Sequence, residues 1–562
     1  MRILSPILIP GSYLKEAFHV MRQTVRTRIF SLGLGLGLLS WNGLHPCTNI
    51  LVSKGASADG STMITYVADS HSLYGELVTF PAGRHIPGTW VDVIEWDTGK
   101  YLGKIRQVEQ TYSVVGNMNE HQVSIGETTY GGREELRDST GVVDYGTLMY
   151  TALQRGRTAR EAIQIMADLV KEYGYYSEGE SFSIADPNEV WIMDLIGKGR
   201  GNRGAVWVAR RVPDGYITAH ANHPRIRRFP LNDRENCLYA EDVISFARKK
   251  GYFRGDDAEF SFADAYAPAD FGALRFCEAR VWNVFRNAAP SINLSSDFVK
   301  PVSGAEPLPL WIKPDKKLGV RDVMQLMRDH FENSEFDMTK DIGAGPYKLP
   351  YRWRPLEWKV DSVKYFNERA ISTQQTGFSF IAQARSTLPD PVGGILWFGV
   401  DDTYSTVYVP MYCGITRVPK PFAVGAGSFG RFGWDSAFWV FNFVANFAYS
   451  RYCDMIRDIQ AVQRELEGSY FGNQGIVEDA ALALYKQSPS LARDYLTEYS
   501  VTQGESAVAR WKKLGEFLIW KYMDGNVKDE FGKPTHPGYP QDWYQRIAKD
   551  TGDRLKEVPL PK

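Results

Sequence analysis

The chain has 562 residues, 44% hydrophobic and 23% charged, a composition that allows one large core or two to three domains. Lys and Arg number 65 against 66 Asp and Glu, so no net field recruits a polyanion and nucleic acid is excluded as a partner. Aromatic residues make up 13% and no repeat, low-complexity tract or run of like charge occurs, which favours extensive sheet over a coiled coil.

The first basic-then-apolar pattern begins at Met21. "MRQTVRTR" is a positive n-region, and "IFSLGLGLGLLSW" is an apolar run of about a dozen residues, too short for a bilayer and suited to a secretory leader. Gly33, Gly35 and Gly37 at alternate positions weaken a buried core helix there. Residues 1–46 are therefore expected to be a signal peptide or propeptide, with translation starting at Met21 and the mature protein exported. Leu44 and Pro46 make a poor signal-peptidase site before Cys47, which leaves cleavage near Gly43 or self-cleavage at the cysteine. "LHPC" has the leucine of a lipoprotein signal without the small residue before the cysteine, so a lipid anchor on Cys47 is the alternative. No other segment suits a membrane span, and no stable insertion is expected after processing.

From Cys47 the pattern is sheet-like. "CTNILVSKG" and "STMITYVA" are β-rich runs separated by the turn "ASADG", and "TYSVVGNMNEHQVSIGETT" reads as two strands around "NMNEHQ". Residues 144–173 switch period and predict two amphipathic helices, the second with a capping box at Thr158 and Glu161 and a stop at Gly174. "SFSIADPNEVWIMDLIG" predicts a hairpin turning at Asp186-Pro187-Asn188, and strands continue through "AVWVARRVPDGYITAHANH". Further strands fall in residues 350–425, including "GGILWFGVDD" and "YSTVYVPMYCGI". From Asp435 the chain turns helical, ending in a loop-like tail, "GNVKDEFGKPTHPGYPQDW". Strands, a helix pair and more strands predict an α+β protein with helices packed on a sheet stack, here divided into residues 47–434 and a helical extension over 435–562.

Several signals lead nowhere. Gly425, Gly427 and Gly430 spell G-x-G-x-x-G, yet no βαβ unit surrounds them. His220 and His223 lack a third spaced ligand, no Gly-x-Ser-x-Gly elbow occurs, and "DGNVKDEFG" misses the glycine and closing glutamate of a calcium loop. No cofactor or metal is expected. The five cysteines are odd in number and scattered, so at least one thiol stays unpaired, and Cys47 is taken to be that one.

A thiol of pKa about 8.5 needs a base at neutral pH. An α-amino group titrates near about 7.7–8.0, so the amine of Cys47 itself would serve once nothing precedes it. The leader would then double as a safety catch.

"CTNILVSKGASADGS", "NMNEHQVSIGETT", "GRTAREAIQIMADLVKEYGYYSEGESFSIADPNEVWIMDLIG", "HANHPRI", "ARVWNVF" and "LWFGVDDTYSTVYVPMYCGI" together resemble the dipeptidase A family of N-terminal-nucleophile cysteine hydrolases, related to bile-salt hydrolase and penicillin-V acylase. The resemblance runs from Cys47 to about residue 430. It implies a four-layer αββα fold, autoproteolytic processing and hydrolysis of dipeptides by acyl transfer. It also implies roles by position: Cys47 as nucleophile and base, Asp69 as the group orienting its amine, Asn119 and Asn222 as oxyanion-side donors, and Arg280 as a distant arginine near the cysteine. Tyr66 stands where the wider superfamily has an arginine, so a local cation is not expected on that strand. Glu127 is expected to hold the free ammonium of a peptide substrate. Two other readings stay open: an amidase for N-acyl amides of the bile-salt or penicillin type, and a lipid-anchored binding protein with an aromatic groove. Small peptides are the expected partners, and a homo-oligomer is left open.

Overall fold

A computed structural model describes residues 47–70 and 73–560. The leader expected over residues 1–46 lies outside them. Two antiparallel sheets face each other, and the protein is α+β. The six-stranded first sheet runs Ile217–His220, Asn49–Val52, Thr62–Asp69, Thr376–Ala384, Ile395–Val400, Val409–Tyr412. The eight-stranded second sheet runs Cys237–Tyr239, Ala205–Arg211, Val190–Gly197, Gly179–Ala185, Ser124–Tyr130, Met118–Asn119, Val114–Val115, Thr79–Phe80.

The period of two in the second sheet's strands sorts its side chains. Trp191, Met193 and Leu195 join Ile125, Phe182 and Ile184 on one side, beneath Leu148, Met149, Ile163 and Met166 of the predicted helix pair. Val190, Ile192, Ile196, Val206 and Val208 join the core shared with Ile50, Leu51 and Ile64 of the first sheet. Gly126 lies at a close approach of the two sheets: a Cβ there would stand 3.0 Å from Asn49 Nδ2 and 3.1 Å from Tyr66 Cβ.

Local chemistry explains the element ends. Helix Tyr145–Arg155 is capped by the Asp144 carboxylate, which accepts from Thr147 N–H. Helix Ala159–Tyr173 is capped by Thr158 and ends at Gly174 with φ 77°, a conformation suited to glycine. Its Glu161 carboxylate accepts from Arg157 N–H, so the box closes one residue earlier than the motif predicts. The hairpin turns where expected, because Asp186 Oδ1 accepts from both Asn188 N–H (2.8 Å) and Glu189 N–H (2.9 Å).

The helical region covers the first sheet. Pro489–Lys521 packs on Val409–Tyr412, and Ala437–Ala448 packs on Ile395–Val400. Trp397 stacks on Phe471 at 4.6 Å and Phe441 on Trp511 at 4.7 Å, so residues on both sides of position 434 share one core. The helical region from Asp435 breaks at Tyr449–Arg451, and the chain continues as helices of 36 and 33 residues separated at Ser488-Pro489. Helices Val243–Lys250, Ala279–Ala288 and Val320–Met327 fall in a stretch that the sequence patterns left unread. The loop-like tail holds a small hairpin, Val527–Lys528 with Pro534–Thr535, and runs into helix Gln541–Thr551. No described helix is long and apolar enough to cross a membrane.

A buried ion pair fastens the helical cover to the sheet. Arg328 Nη1 and Nη2 reach Glu467 at 3.1 and 2.5 Å, while Arg328 also donates to Thr403 O and Thr406 O, and Glu467 accepts from Tyr408 N–H. Removing one partner strands the other charge inside the protein. Glu467→Ala is therefore expected to cost about 3–5 kcal/mol in denaturant unfolding, and an Arg328→Met/Glu467→Leu pair to recover much of it. A single-variant loss below about 1 kcal/mol, the size of an exposed pair, would contradict this account.

Candidate active site

Cys47 stands at the threshold of the first strand. Thr48 and Val67 exchange backbone hydrogen bonds (3.2 and 3.0 Å), which zips this start to the far end of strand Thr62–Asp69. The cysteine is buried, 3% exposed. Burial pushes its thiol well above the ordinary range, and the carboxylates of Glu127 and Asp69 push it further; the Asp69 backbone N–H and the Tyr66 hydroxyl work the other way.

Arg280, on helix Ala279–Ala288, holds this segment in place. Its Nη1 donates to Cys47 O and to Thr48 Oγ1 (2.7 Å), its Nη2 to Ala221 O (3.3 Å) and Asn222 Oδ1 (2.8 Å), and its Nε to Phe276 O (2.7 Å). Asn222 follows the Ile217–His220 strand with φ 58°, a left-handed conformation asparagine tolerates, and its Nδ2 donates to Thr129 O at 2.6 Å. Cys47, Asn222 and Arg280 are thus brought together from three separate segments.

Asp69 belongs to the same group. Its carboxylate accepts from Arg369 Nη2 (2.5 Å) and Thr376 Oγ1 (2.6 Å). Desolvation raises its pKa, with Arg369, Thr376 and Arg280 opposing. Arg369 is the residue that sequence reasoning missed. It lies 300 positions beyond Asp69 and sets a cation against that carboxylate. No local motif announces it.

Tyr66 lies on the other side of the sulfur. The thiol donates to its hydroxyl at 4.0 Å, the hydroxyl donates to Glu127 Oε1, and its ring is held edge-on by Phe378 and Phe380. The Glu127 carboxyl faces Glu180, and Thr129 Oγ1 donates to Glu180 Oε1 at 3.0 Å. Burial pushes Glu127 up to about 7, and burial together with the neighbouring Glu127 pushes Glu180 up as well.

Asn119 is not part of this group. Its Nδ2 donates to Leu153 O (2.8 Å) and Gly156 O (2.7 Å), and its Oδ1 accepts from the N–H groups of His121 and Val123. Every polar atom of the amide is spent fastening a turn to the end of a helix. The two histidines of "HANH" also part company. His220 is wedged between Thr128 Oγ1 and Ser183 Oγ at 2.7 Å each, and burial holds its pKa down to about 3; His223 pairs with Glu278 at 3.2 Å. Among the described residues no cluster of three His, Cys, Asp or Glu side chains is placed to bind a metal ion, and all five cysteines are free thiols.

Two cavities flank the group. One, of about 360 Å³, begins at Asn222 and Cys277 and includes Glu134, Glu178, Asp270 and Arg137. The other, of about 300 Å³, begins at Ser70 and Thr376 and includes Arg354, Trp353, Trp439 and Asn442. Glu127 lines neither.

The family model described as Peptidase family C69 matches residues 78–465, well over half of the chain. A "Probable dipeptidase" of Salmonella dublin is 25% identical over 401 residues, covering 68% of this chain and 84% of its own length. A "Probable dipeptidase" of Latilactobacillus sakei is 25% identical over 391 residues, covering 66% and 74%. A "Probable dipeptidase B" of Streptococcus pyogenes serotype M1 is 22% identical over 492 residues, covering 84% and 93%. The chain belongs to peptidase family C69.

Proposed function

We propose that the protein is an exported cysteine dipeptidase of the N-terminal-nucleophile type, built as a four-layer αββα sandwich, with Cys47 as the first residue of the mature chain. The observation that carries this reading is the convergence of Asp69, Asn222 and Arg280 on Cys47. The layering of helix pair, two sheets and C-terminal helices supports the fold assignment, and the relatives named as probable dipeptidases support the substrate.

The chemistry follows from the surroundings of the sulfur. A thiol pushed up by burial and by two carboxylates stays protonated at neutral pH unless a base stands beside it. The α-amine of Cys47, freed when residues 1–46 leave, is that base, and Asp69 orients it. The amine takes the thiol proton, and the sulfur attacks the scissile carbonyl carbon. The C–N bond breaks as the proton passes to the leaving amine, and water then hydrolyses the thioester. Arg280 fixes the Cys47 carbonyl. Asn222, the one of the two asparagines that meets Arg280 beside the Cys47 segment, is assigned to the oxyanion side.

Glu127 takes a different role from holding an ammonium. Its carboxyl already accepts from Tyr66, and we assign it to orienting that hydroxyl under the sulfur. The acidic cavity beginning at Asn222, with Glu134, Glu178 and Asp270 against Arg137, suits the free ammonium of a dipeptide.

Intact-mass measurement of active protein is expected to give a chain starting at an unmodified Cys47; extra residues ahead of it, or a diacylglyceryl mass, would refute the mechanism. Cys47→Ala is expected to lower kcat/KM at least about 10³-fold with an unchanged melting temperature. Free-amine dipeptides are expected to be cleaved in preference to N-acylated ones, and the reverse preference would favour an N-acyl amide hydrolase.

Glu127 also makes stability depend on pH. Its folded-state pKa of about 7 lies above the ordinary 4.5, so its contribution is complete below 4.5 and is lost as pH rises through 7. Glu127→Gln, which mimics the neutral form, is expected to shrink the fall in Tm between pH 5 and pH 8 by about 1–3 °C. A fall as steep as wild type would show that the carboxyl is ordinary in the fold.

A further inference from the structure

The cavity beginning at Ser70 and Thr376 belongs to no step described so far. Two of its wall residues adjoin Asp69, whose N–H faces the sulfur: Ser70 follows it in the chain, and Thr376 Oγ1 donates to Asp69 Oδ1 at 2.6 Å. Arg354 is the cation in that wall. Its Nη2 donates to the side-chain oxygen of Gln375, its Nε is buried with no hydrogen-bond partner, and no described carboxylate lies at ion-pair distance from it. The charges that act on it are Arg369 and Arg280, which repel, and Asp69, which is already bound to Arg369 and Thr376. Arg354 thus faces the cavity with no carboxylate of its own among the described residues.

We infer that Arg354 binds the α-carboxylate of the substrate's C-terminal residue. The inference rests on the dipeptidase reading and deepens it. A guanidinium presents paired N–H donors in the geometry a carboxylate accepts, and a partly desolvated one lacking an anion favours such a ligand. The position also fits a dipeptide. One residue of extended chain spans at most about 3.3–3.6 Å, so the carboxylate of the second residue must be caught close beside the attacked carbonyl. The wall of this cavity includes Thr376, which is bonded to Asp69, so it lies on the nucleophile's side where such a catch is needed. With the acidic cavity beyond Asn222 taking the ammonium, the zwitterion lies across Cys47 in one direction only. Trp353 and Trp439 in the same wall give the C-terminal side chain an apolar surface.

The test is steady-state kinetics of wild type, Arg354→Gln and Arg354→Lys on a dipeptide and its C-terminal carboxamide, with an N-acyl amino acid and its carboxamide alongside. Wild type is expected to prefer the free acid about 100-fold in kcat/KM. Arg354→Gln is expected to lose about that factor on the acid alone, and Arg354→Lys to restore part of it. Equal losses on acid and carboxamide, or no loss on either, would overturn the carboxylate site while wild-type turnover left the dipeptidase reading standing. If wild type cleaves only the acylated pair, the dipeptidase reading falls, and the same Arg354 comparison on that pair decides the site.

Discussion

One buried guanidinium organises the centre of this molecule. Arg280 is fully buried, and each of its five N–H groups has an acceptor: two carbonyls and a side-chain amide on other segments, the Thr48 hydroxyl, and the Phe276 carbonyl one turn earlier on its own chain. Burying a cation costs several kcal/mol, and here neutral oxygens with a complete set of hydrogen bonds offset it in place of a bound carboxylate. Its pKa falls only to about 10, so the charge survives at neutral pH. The same five bonds tie together the segment carrying the nucleophile, the end of strand Ile217–His220 and a helix. The position of Cys47 is thus a consequence of satisfying Arg280.

Around that fixed point the charges are segregated. Arg280, Arg354 and Arg369 surround Asp69 on one side of the sulfur, and Glu127 and Glu180 lie behind Tyr66 on the other. The carboxyl pair avoids two adjacent buried anions by favouring protonation, which limits its power to hold the thiol neutral. The arginine side has no such outlet, because a guanidinium does not give up its proton at neutral pH. Negative charge created at the sulfur or on a substrate oxygen is therefore attracted toward the Asp69 side.

What the sequence disclosed follows the range of the interactions involved. Caps and turns were legible because their partners lie within a few residues: Thr158 with Glu161, Asp186 with Asn188 and Glu189. The two facing sheets were legible in part through alternation and β-rich runs. Asn119 and Asn222 look alike in sequence, each an asparagine near a turn, and only the fold separates the one that fastens a helix end from the one that meets Arg280. The break at Tyr449–Arg451 lacks a proline or glycine and gave no local signal.

The cation at the site shows most plainly why the remainder was hidden. Reading strand Thr62–Asp69 alone, Tyr66 looks like the loss of a positive charge. In the folded chain, strand Thr376–Ala384 pairs with Thr62–Asp69 in antiparallel register, Thr376 opposite Asp69, and the segment leading into it delivers Arg369 to that carboxylate. The position of the charge is then a property of the register between two strands about 300 residues apart (|i−j| = 307 for Thr376 and Asp69), which no single-strand pattern contains. Position 66 carries a hydroxyl instead, which stands between the thiol and the Glu127 carboxyl.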